Sequence, residues 1–98
     1  DEEKLESYAI ITAMGPTYFW FQLETIHKLG KSFGLSDEEL KNGLLSTISG
    51  AVETFYNSGL SFEQVKDLIP VKPLADSEEK IRDIYSNSLN ALYNRLKS

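Results

Sequence analysis

The residues best suited to chemistry stand at a bend. Thr12-Ala13-Met14-Gly15-Pro16 precedes a run of aromatic residues. Proline at the first helical position gives up only an amide that has no intrahelical partner, so a helix starts at Pro16. Free amides at such a start, with the Thr12 hydroxyl beside them, make a receptor for an anion such as a carboxylate. Lys72 lies between two prolines in Pro70-Val71-Lys72-Pro73-Leu74-Ala75-Asp76 and is the only cation of that stiff loop. It is either a countercharge for the same anion, where the fold brings the loop near an elbow of either chain, or a solubilising lysine on a loop tip. Glu24 and His27 stand three apart on one helix. Such a pair can tune a histidine for proton transfer or be an ordinary boundary ion pair.

Other chemistries lack their parts. There is no glycine-rich G-x-G-x-x-G after a strand, no P-loop lysine and no G-x-S-x-G, so the usual phosphate cradles and the activated serine are absent. With no cysteine and one histidine the chain has no thiolate metal site and no histidine cluster for zinc. The acidic runs Asp1 to Glu3, Asp37 to Glu39 and Ser77 to Glu79 fall in the first turns of helices, where the helix dipole explains them.

The elements that position these residues are helical. Asp1 caps a short first helix, with Leu5, Tyr8 and Ala9 on one side, that ends near Ala13. From Pro16 a long helix runs toward Gly34, with Phe19, Leu23, Ile26 and Phe33 as its inner stripe, and Gly30 lets another backbone come close. Tyr18, Phe19, Trp20 and Phe21 are consecutive, and at about 3.6 residues per turn four rings in a row point to every side. That turn needs enclosure, and the rest of the chain is short of apolar surface to enclose it. A second copy is expected to supply it.

Ser36 with Glu39 forms a capping box before a helix in which Leu40, Leu44, Ile48, Val52 and Phe55 recur at helical spacing up to Gly59. Gly43, Thr47, Gly50 and Thr54 add a stripe of small residues, each glycine costing about 1 kcal/mol relative to alanine. Ser61 with Gln64 opens a short helix carrying Phe62, Val65, Leu68 and Ile69, stopped by Pro70. Asp76 or Ser77 caps a last helix with Ile81, Ile84, Tyr85, Leu89, Leu92 and Leu96 along one side. The expectation is a single all-α domain over residues 1–98, a bundle of about five helices interlocked with a partner chain in a homodimer.

The 98 residues carry a formal net charge of -5. A surplus of carboxylates argues against nucleic acid and anionic membranes as partners. No apolar run approaches a membrane span and the charged start is unlike a signal peptide, so a soluble, cytoplasmic protein is expected. The missing initial methionine points to a processed product or an excised piece.

Gly15-Pro16, Tyr18, Glu24, Gly30, Gly34-Leu35, Thr47, Gly50 and Ser58-Gly59 stand in the order and spacing of the C-terminal domain of pyrroline-5-carboxylate reductases, which the chain resembles over almost its whole length. The resemblance implies an all-α dimerisation unit, with NAD(P)H held by an N-terminal Rossmann domain of the full-length parent and no cofactor in this chain. It implies hydride transfer to a small imine or carbonyl acid, with Thr12 in place of a family serine at the substrate's carboxylate. The family loop T-S-P-G-G-T-T is replaced here by Pro70 to Asp76, without its glycines and hydroxyls, which leaves Lys72 as the replacement charge. By itself the chain is expected to catalyse nothing. A non-catalytic relative, binding a metabolite or a protein through the altered loop, and a free-standing helical interaction domain are the alternatives.

Overall fold

The computed structural model describes residues 4–98. The fold is all-α: α1 (Leu5–Tyr8) continues into a wide π turn (Ala9–Ala13), then come α2 (Pro16–Ser32), α3 (Asp37–Asn57), α4 (Phe62–Lys66) and, after a 3-10 turn (Ala75–Ser77), α5 (Glu78–Lys97). There is no strand among the described residues. The expected cap at Asp1 lies outside them.

Two compact units divide the chain. The first joins the residues up to Trp20 with Lys72–Ser98, and the second is Phe21–Val71.

In the first unit Ile10 is the buried apolar residue, 4% exposed, while Leu5 and Tyr8 are exposed. The side that carries Leu5 and Tyr8 thus faces outward in the single copy. Tyr18 packs edge-on against Tyr85 with ring centroids 6.0 Å apart. Lys97 reaches Glu6 at 3.8 Å, which ties the end of α5 to α1. Ser77 precedes α5 without a side-chain bond, because the chain enters through the 3-10 turn, where the Ser77 amide bonds the Leu74 carbonyl at 2.9 Å. The expected side-chain cap by Asp76 or Ser77 is therefore not made.

In the second unit the corner from α2 to α3 is closed by local chemistry. Gly34 adopts φ +100°, the left-handed conformation that ends a helix most readily at glycine. The Leu35 amide returns to the Gly30 carbonyl at 3.0 Å. The Ser36 hydroxyl then accepts the Glu39 amide at 3.1 Å while Glu39 accepts the Ser36 amide at 2.9 Å, so the expected capping box is present. Both are present again at Ser61 and Gln64. Beyond Lys66 the Asp67 and Leu68 amides bond carbonyls three residues back, a tightening that ends α4 before Leu68 and Ile69 can join it.

Gly30 is not a point of backbone approach. A β-carbon there would run into the end of the Leu40 side chain, and Leu40 is the buried apolar residue of this unit, 6% exposed. Much of the rest of the apolar set stays uncovered, while Leu23 and Leu44 are half-buried. Phe19, Trp20, Phe21, Ile26, Phe33, Ile48, Val52 and Phe55 are all exposed, so the stripe that the spacing drew along α2 faces solvent in the single copy except at Leu23.

Candidate functional site

The elbow is built by the π turn and the break that follows it. The Met14 amide bonds the Ala9 carbonyl at 2.9 Å, five residues back, and the chain then bends through Met14 and Gly15 into α2. Gly15 is buried, and a β-carbon there would collide with the Ile11 carbonyl oxygen, so the bend tolerates only glycine. The Tyr18 hydroxyl donates to the Ile10 carbonyl.

The donors expected to be free at this elbow are engaged. The Thr17 amide bonds the Met14 carbonyl at 3.0 Å and the Tyr18 amide bonds the Gly15 carbonyl at 2.9 Å, i to i+3 bonds that tighten the first turn of α2. The Thr17 hydroxyl takes the same Met14 carbonyl at 2.5 Å. Thr12 is exposed and donates its hydroxyl to the Tyr8 carbonyl at 2.7 Å. An anion at this elbow would have to displace some of these bonds.

Lys72 is half-buried and belongs to the same unit as Thr12. Its carbonyl accepts the Ala75 amide at 3.1 Å, which folds the loop back on itself, and its ammonium makes no ion pair among the described residues. Thr12 and Lys72 share no hydrogen bond.

His27 does not pair with Glu24. Glu24 lies 3.8 Å from Lys28, one turn along α2, whereas the His27 Nε2 and the Lys31 Nζ each approach Asp37 Oδ1 at 3.0 Å. An ionised carboxylate only accepts, so His27 Nε2 is the donor of this bond. The corner places Asp37, at the start of α3, opposite two residues spaced four apart on α2. Sequence reasoning missed this cluster; that spacing, followed by an acidic first turn, is the signal that could have found it. The hydrogen bonds from Lys31 and then His27 hold the Asp37 carboxyl below its ordinary value, and bonds from Ser36 do the same to Glu39. Because both values are depressed on folding, their contribution to stability is complete above the ordinary carboxylate pKa, about 4, and disappears as the pH falls through the lower folded values. Urea titrations from pH 6 to pH 2 are therefore expected to show Asp37→Asn less stable than the parent at the upper end and equal to it at the lower. A difference that does not depend on pH would remove the charge from this account.

Beside this cluster, Leu23, Glu24, His27, Lys41, Leu44, Leu45, Ile48 and Ser49 line an open groove of about 450 Å³ between α2 and α3. Among the described residues no group of histidine, cysteine or carboxylate side chains is arranged to hold a metal ion.

Set against known proteins, the chain is 24% identical over 92 residues to the pyrroline-5-carboxylate reductase of Pseudomonas aeruginosa, in that protein's C-terminal part. The two are distantly related. The aligned stretch takes in 94% of this chain and 33% of the reductase, so the chain spans about a third of the length of the relative it matches. No family model and no solved structure matches the chain. Among the described residues there is no strand. Nor is any helix among them long and apolar enough to cross a membrane.

Proposed function

We propose that the chain is the dimerisation and substrate-side domain of an NAD(P)H-dependent reductase acting on a small imine or carbonyl acid, with the nucleotide held outside these residues. The observation that carries this reading is the distant relation to pyrroline-5-carboxylate reductase along nearly the whole chain. The uncovered apolar faces support the dimer. Two units whose large apolar side chains are mostly exposed are what a core divided between two copies leaves on each. A cytoplasmic location accords with the same reading.

The carboxylate of the acid would be met by Thr12 and Lys72. Thr12 supplies a hydroxyl that must leave the Tyr8 carbonyl, and Lys72 supplies a charge without the directional fit of backbone amides. In the protein as its gene encodes it, Lys72→Ala is expected to weaken binding of L-proline, the carboxylate formed by reducing pyrroline-5-carboxylate, at least tenfold, since bonds to charged groups contribute about 1.5–3 kcal/mol. Calorimetric titration checks this, and unchanged affinity removes Lys72 from the site. The wider reading is tested by following NAD(P)H oxidation by the encoded protein with cyclic imino acids. Turnover supports it and inertness toward all of them sinks it.

One observation favours a second reading. In the loop from Pro70 to Asp76 two prolines have no amide to donate, and the Ala75 amide is spent on Lys72. A loop closed in this way suits a non-catalytic relative that keeps the helical scaffold and binds a different metabolite or a protein. Dimers that bind no carboxylate and oxidise no NAD(P)H would favour it.

A further inference from the structure

The Ile10 carbonyl is the point at which the first unit chooses between two helical registers. In a continuous α-helix the Met14 amide would bond the carbonyl four residues back, that of Ile10. Here it bonds the carbonyl of Ala9, five residues back, at 2.9 Å, and the Ile10 carbonyl takes the Tyr18 hydroxyl instead. Two donors are therefore alternatives for one acceptor. Ile10 is 4% exposed, which leaves little water to satisfy its carbonyl if both donors are absent. The Tyr18 ring is held from the other side by Tyr85, edge-on at 6.0 Å, so the hydroxyl is aimed by packing that does not depend on the bond it makes.

We propose that the Tyr18 hydroxyl is the pin that keeps residues 9–13 in the wide turn, and so sets the direction in which α1 and Thr12 face. Occupying the Ile10 carbonyl, it sends the Met14 amide on to Ala9 and stores one extra residue in the turn. Without the hydroxyl, Met14 falls back to Ile10. The segment before the turn then rotates by about 100° and shifts by about 1.5 Å along its axis. Glu6, which meets Lys97 across to α5, and Thr12, which lies within the turn, move with it. The register thus follows one hydroxyl on a different helix.

The variant Tyr18→Phe keeps the ring on Tyr85 and removes only the hydroxyl. Scalar couplings through hydrogen bonds, measured by NMR on isotopically labelled chain, report which carbonyl each amide bonds. The parent is expected to show coupling from the Met14 nitrogen to the Ala9 carbonyl carbon, and Tyr18→Phe coupling to that of Ile10, with the couplings inside α3 unchanged. Coupling that stays on Ala9 in the variant overturns the proposal. A second measurement needs no variant: the Tyr18 hydroxyl proton of the parent is expected to exchange with water at least tenfold more slowly than that of exposed Tyr56. Exchange at an equal rate overturns the proposal even if Tyr18→Phe does not fold.

Discussion

Trp20→Asp is expected to convert a dimer into single copies, or to unfold the chain, at concentrations where the parent remains associated. Trp20 is 65% exposed in the single copy and lies between the exposed Phe19 and Phe21, so the protomer alone gives a carboxylate at this position enough water to stay solvated. In the proposed dimer the same position is dry. An unpaired charge buried there costs about 3–5 kcal/mol, which corresponds to more than a hundredfold in the dissociation constant. Light scattering and sedimentation across a dilution series measure the change directly. A parent that is a stable single copy, or a variant that dimerises as tightly as the parent, would take the aromatic turn out of the interface.

The second large effect belongs to the pair Gly30 and Leu40. Leu40→Ala removes the buried side chain that fills the space over Gly30, and large-to-small changes of this kind cost about 2–5 kcal/mol. Gly30→Ala alone is also expected to destabilise, since its methyl group meets the end of Leu40 and one of the two must shift. The informative measurement is the double variant. Once Leu40 is truncated the added methyl occupies the vacated space and brings alanine's better helix propensity, about 1 kcal/mol, so Gly30→Ala changes sign and becomes stabilising. Denaturant melts of the four chains give the coupling. If Gly30→Ala has the same effect in both backgrounds, the packing of Leu40 on Gly30 does not hold this corner.

Reading the sequence succeeded where the determinants are local. Pro16, Gly34, Ser36 with Glu39 and Ser61 with Gln64 act within a turn of their own positions, and each marks the helix boundary that its chemistry predicts. It failed where a residue answers to something distant along the chain. The π turn depends on Tyr18, eight residues beyond the carbonyl it takes and past a break in the helix, a spacing that no periodicity marks. With the turn unforeseen, Ile10 was not singled out as the buried residue of the first unit. His27 was read with Glu24 because both lie on α2, whereas its partner comes from the start of α3 once the corner folds. For the candidate site, the order of residues along the elbow and the single charge of the loop are visible in the sequence. That the elbow's donors already bond Tyr8, Met14 and Gly15 is a matter of geometry.

The corner between α2 and α3 has a kinetic consequence. Its left-handed glycine, its reciprocal cap and the seat of Leu40 over Gly30 all fall between residues 30 and 40, so closing it requires a search over a very short loop. Loops of about ten residues close in about 10–100 ns, far faster than whole domains fold. Closure of the corner is thus independent of the far ends of the polypeptide.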